Sequence, residues 1–123
     1  MATDASVEAS LAARMAAGLS AATGSELHLL TVSQDEPEKV ISGASREVEE
    51  AGGKVTQTYS CDASFADWID AEIVSTAEEL AADLIVVGSR GRRALKRALM
   101  GSVSASVVRH AHCPVLVVRK QSS

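Results

Sequence analysis

Residues 83–104 read DLIVVGSRGRRALKRALMGSVS, and the fold turns on how they are understood. The opening DLIVVG (83–88) shows no polar alternation, which marks a strand covered on both faces. The closing GSVS (101–104) starts a helical spacing of Val103, Val107 and Ala111. Between strand and helix stand Arg90, Arg92, Arg93, Lys96 and Arg97, in a chain whose formal net charge is −4. Glycines at 88, 91 and 101 punctuate the stretch. Glycine accepts positive φ and lets a ligand come close to the backbone. A helix start at Gly101-Ser102 offers unpaired N–H groups and the positive end of a dipole, which suit an anion. Ser102 and Ser104 add hydroxyl donors, and arginine grips phosphate oxygens in pairs. These parts describe a polyphosphate cradle at the carboxyl end of a buried strand, where open parallel sheets bind ligands.

The rest of the chain repeats the strand–helix alternation. Val7, Leu11, Met15 and Leu19 recur at fourfold spacing, predicting an amphipathic helix over 6–22 with Ser6 as N-cap and Gly24 as its stop. ELHLLTV (26–32) reads as a buried strand. A second helix is expected over 37–51, from Pro37 to Gly52-Gly53, with Val40, Ile41, Ala44, Val48 and Ala51 on its apolar side. KVTQTYSC (54–61) is polar and β-branched, as in a strand near a sheet edge. Residues 64–81 carry the stripe Phe65, Ile69, Ile73, Ala77 and Leu80, a third helix; PVLVVR (114–119) is a last strand. Alternation of this kind gives right-handed crossovers and an open parallel sheet with helices on both faces, a Rossmann-like three-layer α/β/α fold. Only MATD precedes the first helix, so either the first strand is a stub or the chain has lost its natural beginning.

Composition sets the outer bounds. The 123 residues fit one domain, 1–123, with 46% hydrophobic and 23% charged residues. Tyr59, Phe65 and Trp68 are the only aromatics, too few for the stacking platforms of single-strand nucleic-acid binding. No segment is apolar for long enough to span a bilayer and no signal peptide opens the chain, so a cytoplasmic protein is expected. Cys61 and Cys113 form no CxxC pair and read as free thiols. His110 and His112 precede Cys113, but no further ligand lies nearby for zinc. His28 and Trp68 read as packing residues, and Arg92, Arg93, Lys96 and Arg97 as solvated charges, with Arg90 the basic residue favoured for the ligand. No GxSxG, HExxH or supported carboxylate pair points to an enzyme.

The spacing G-x2-G-x9-G-S, between DLIVVGSRG and VVRHAHCPVLVVR, resembles the ATP-binding branch of the universal stress protein family. The resemblance implies a parallel sheet of order 3-2-1-4-5, its first strand truncated here, with ATP above its middle. Ala2, Thr3 and Asp4 match the end of the family's first strand, where the acid faces adenosine. Val32 matches the end of strand two, whose backbone meets adenine. Gly88, Arg90 and Gly91 match the loop around ribose and phosphates, and Gly101, Ser102, Val103 and Ser104 the helix start that holds the phosphate tail. A divalent ion such as Mg2+ and a homodimer through Pro114 to Arg119 are further implications. Ala5 replaces the family's glycine after the acid. The resemblance thus implies a small ATP-binding regulatory or stress-response protein. Two alternatives are an interaction module of the same fold without nucleotide, and a slow ATP hydrolase for which Asp4 is the one candidate acid.

Overall fold

The computed structural model describes residues 1–3, 7–33, 36–62, 69–88 and 101–119. Among these, strands and helices alternate: β1 (Ala2–Thr3), α1 (Val7–Thr23), β2 (His28–Ser33), α2 (Pro37–Glu50), β3 (Gln57–Asp62), α3 (Ile69–Glu79), β4 (Ile85–Gly88), α4 (Ser102–His110) and β5 (Val115–Val118). All strand pairs are parallel. One ladder runs β1-β2-β3 and a second joins β4 to β5. β1 touches β4, so the spatial sequence is the expected 3-2-1-4-5, with contact rather than a ladder at its centre. The reason is the length of β1, whose two residues pair Ala2 with Leu30 and Thr3 with Thr31.

Helices cover both faces. On one, α1 and α2 close over Leu27, Leu29 and Val86. On the other, Ile73 of α3 and Val107 of α4 pack on Leu30, Ile85 and Val87. Alternate residues of β2 and β4 therefore serve opposite cores, which is why β4 (Ile85–Gly88) carries no polar positions.

The element ends follow local chemistry. Gly24, at φ +70°, stops α1 and donates its N–H to the Ser20 carbonyl at 2.8 Å. Pro37 occupies the start of α2, where its missing N–H costs nothing. Gly52, at φ +89°, and Gly53, whose N–H meets the Val48 carbonyl at 2.9 Å, turn the chain after α2.

The buried side of α1 differs from expectation. Val7, Met15 and Leu19 are exposed, and the helix instead buries Ala9, Ala12, Ala13, Ala16 and Ala17. Small residues win because the helix lies close against its neighbours. A Cβ on Gly53 would sit 2.8 Å from the Ala17 Cβ, leaving no room for a larger stripe.

Candidate functional site

The parallel register carries the ends of β1 (Thr3), β2 (Ser33, one past Val32) and β4 (Gly88) to the same edge of the sheet. The start of α4 is tied to that region by Val103, half-buried against the cluster that holds Val87. The main chain of Ala2, Thr3 and Val32, together with Gly88, Gly101, Ser102, Val103 and Ser104, is thus described. Asp4, Arg90 and Gly91 lie outside the described residues, as do Arg92, Arg93, Lys96, Arg97, Phe65 and Trp68.

Each described residue has a physical reason for its identity. Gly101 is the N-cap of α4 in an extended conformation (φ −73°, ψ 164°), and it brings no side chain to satisfy the first-turn amides. Arg109 and His110 in the last turn complement the opposite end of the dipole. Ser102 is exposed at the first helical position, so its hydroxyl faces outward. Ser104 is buried, and its Oγ donates to the Gly101 carbonyl at 3.1 Å. That hydroxyl braces the turn from inside.

Gly88 also has a reason that the sequence does not reveal. Its φ is not among the positive values. A Cβ there would lie 2.8 Å from the carbonyl carbon and Cβ of Glu8, and 3.0 Å from the Ala9 nitrogen. The first turn of α1 rests on this glycine, which brings a helix start onto the end of β4.

Two other polar groupings sit away from this edge. Ser106 donates to Asp70 Oδ2 at 2.5 Å, and His110 Nδ1 lies 3.0 Å from the Ser106 carbonyl and 3.3 Å from its Oγ. The carboxylate accepts the serine O–H directly and the histidine is not interposed, so the trio joins α3 to α4 and does not form a nucleophile relay. His28 Nδ1 meets the Tyr59 hydroxyl at 3.0 Å with the rings stacked, as expected of a packed histidine. His112 pairs with Glu78 at 2.8 Å on the surface. Among the described residues no cluster of three metal-ligating side chains occurs, and Cys113 is a half-buried free thiol.

A chain with parallel strands in this order and helices on both faces defines an open, Rossmann-like α/β fold. The family model described as "Universal stress protein family" matches residues 1–119, and the chain belongs to that family. It is 34% identical over 89 residues to universal stress protein MJ0577 of Methanocaldococcus jannaschii, covering 72% of this chain and 52% of that protein. To universal stress protein MJ0531 of the same organism it is 57% identical over 49 residues, 40% of this chain and 29% of that protein. These alignments thus span about half or less of each curated relative. Among solved structures, a universal stress protein in complex with cAMP superposes at TM-score 0.81, 27% identical, covering 98% of this chain and 94% of the other. The MJ0577 structure superposes at 0.74, also 27% identical, covering 99% and 94%.

Proposed function

We propose that this universal stress protein binds ATP, with a divalent ion such as Mg2+ on the phosphates, and acts as a cytoplasmic regulator rather than as an efficient enzyme. The observation that carries the reading is the start of α4: a buried glycine N-cap followed by an exposed serine, with Val103 packed against the cluster that holds Leu30 and Val87. First-turn amides with no side-chain cap favour an anion there. In this reading Gly101, Ser102, Val103 and Ser104 hold the phosphate tail through their main chain. Gly88, Arg90 and Gly91 surround ribose and the inner phosphates. Ala2, Thr3 and Val32 face the base side, and Asp4 reaches the ribose. A structural relative 27% identical to this chain is a complex with cAMP, which supports a nucleotide as the ligand class.

The same reading makes the protein a homodimer through β5. That strand is Val-Leu-Val-Val, half-buried at every position, and it lies at the end of the described order beyond β4. A second copy pairing along it would cover an apolar edge.

The test is a thermal melt with ATP-Mg titrated to millimolar concentration. Wild-type protein should gain several degrees, and Ser102→Glu, which places a like charge at the phosphate position, should need at least about tenfold more nucleotide for the same gain. Because Ser102 is exposed, that variant should melt like wild type without ligand. No shift in either protein would remove the reading.

A further inference from the structure

β5 ends the strand order, and every one of its residues is half-buried. Leu116 and Val118 turn to the face under α1 and α2, and Val115 and Val117 to the face under α3 and α4. Among the described residues no strand pairs with its outer side. Both helices beside it leave apolar side chains uncovered: Met15 of α1 is 48% exposed, and so is Val108 of α4. Met15 belongs to the fourfold spacing that the core passes over in favour of alanine.

Helix geometry directs both residues to the β5 edge. α2 lies on β2 and β3, whereas α1 touches β4 and β5. Ser10 marks the side of α1 that faces α2, since its Oγ donates to Glu47 Oε2 at 2.5 Å. At about 100° per residue, Leu11 and Met15 stand about 100° and 140° round the axis from Ser10, on the flank turned away from α2. α4 repeats the arrangement on the other face: it touches β5, while α3 touches β2. Ser106 faces α3 through Asp70, and Val108 stands about 160° from it round the axis. The outer strand and the two flanks therefore form one apolar border, from Leu11 and Met15 across β5 to Val108.

The strand by itself is too small an interface. Four residues make an edge about 13 Å long and about 10 Å deep, on the order of 200 Å² of surface, against about 800 Å² per partner in a stable complex. The helix flanks have to supply the rest. Two copies of one edge strand pair antiparallel about a two-fold axis normal to the sheet, the closed isologous arrangement. That axis keeps each face on its own side, so α1 meets the partner's α1 and α4 the partner's α4. With α1 seated over β4 and β5, the two α1 axes stand two to three strand spacings apart, about 10–14 Å. Leucine and methionine span that separation; alanine does not.

The level of the axis follows from register. Its place is the middle of β5, between Leu116 and Val117, which stand level with Val86 and Val87 of β4. The first turn of α1 rests on Gly88. From there the middle of β5 is about 5 Å back along the strands. α1 descends about 1.5 Å per residue and comes level with it about three residues on, at Leu11 and Ala12. We propose that a second copy of this chain docks on this border, with Leu11 beside the partner's Leu11 at the two-fold axis, Met15 one turn beyond it, and Val108 covered on the opposite face. The inference rests on the β5 homodimer of the functional reading and adds the helix flanks that make its area sufficient; nucleotide plays no part in it.

Sedimentation equilibrium over about 10–200 µM protein measures the association. Wild type should be a dimer, and the double variant Met15→Lys, Val108→Lys should weaken it at least about hundredfold. Both positions are exposed, so the far-UV circular dichroism of the double variant should match wild type. Disulfide trapping gives an independent reading. With Cys61→Ser and Cys113→Ser in place, Leu11→Cys should yield a covalent dimer on mild oxidation. Arg14→Cys should not, because that exposed position lies only about 40° round the helix from Ser10, away from the β5 flank. A wild-type monomer throughout the concentration range would remove the β5 homodimer and this inference together. A wild-type dimer that the paired lysines leave unweakened, or trapping through Arg14→Cys as ready as through Leu11→Cys, would leave β5 as the interface and overturn the docking of the flanks.

Discussion

The two faces of one sheet are packed by opposite means. Against the α1–α2 face the core is built from Ala12, Ala13, Ala16, Ala17 and Ala44 around Leu27, Leu29, Ile41 and Val48, with Gly53 and Gly88 at points where a Cβ would strike a neighbour. Against the α3–α4 face Leu30, Ile73, Ile85, Val87 and Val107 are surrounded by half-buried Tyr59, Val74, Val103, Val115 and Val117. The first face gains contact by bringing backbones together. The second fills a wider gap with branched side chains and leaves many of them partly open. A mutation should therefore read differently on the two sides: the first face resists added volume, and the second absorbs it.

The largest expected effect tests that directly. Ala13 is fully buried on the inner side of α1, so Ala13→Leu should cost about 3 kcal/mol through forced displacement of the helix. Val74→Ile, an enlargement at a half-buried position of α3, should stay within about 0.5 kcal/mol. Chemical denaturation of both variants checks the pair. Similar losses in the two would erase the distinction.

Next in size is a pH effect at the first face, where Met1 packs. Burial holds its amine near pKa 6, against 8.0 when exposed. The unfolded chain therefore binds more protons between these values, and stability rises with pH there. The contribution is complete above pH 8 and is lost as pH falls through 6, a total of about 2–3 kcal/mol. Denaturation midpoints from pH 5.5 to 8.5 should show this slope, and acetylating the amine should flatten it. An unchanged slope after acetylation would mean that other groups carry the titration.

Gly88→Ala comes third. The added methyl meets the Glu8 backbone, which cannot swing aside as a side-chain tip can, and about 2 kcal/mol should be lost without any ligand present. A drop in melting temperature for the nucleotide-free protein would assign this glycine to helix packing first. A variant that melts normally yet fails to respond to ATP would return it to ligand contact alone.

These contrasts show where sequence was enough. The apolar run of β4, the Pro37 start and Gly52 stop of α2, and the stop at Gly24 were readable because each rests on a local rule of burial or backbone geometry. The buried side of α1 was not, since fourfold spacing of Val7, Met15 and Leu19 is a genuine helical signal that loses to a tertiary demand for small residues. Gly88 and Ser104 each have a packing task that no local rule announces: their partners, Glu8 and the Gly101 carbonyl, lie across the fold or inside the turn.

The helix ends carry the same contrast down to its smallest consequence. On the first face, α1 and α2 finish with glycines in the left-handed region, Gly24 at φ +70° and Gly52 at φ +89°. On the second, α3 finishes the same way with Ala81 at φ 53°. The bonds of that ending are in place: Ala81 N–H donates to the Glu78 carbonyl at 3.0 Å, and Ala82 N–H to the Ala77 carbonyl at 2.9 Å. What remains is the cost of a Cβ in that conformation, about 1 kcal/mol, which glycine would remove while adding freedom to the unfolded chain. Ala81→Gly should therefore stabilise the protein by about 0.5 kcal/mol, seen as a small upward shift in the denaturation midpoint. A loss instead would show that the exposed Ala81 methyl contributes contact beyond the strain it imposes.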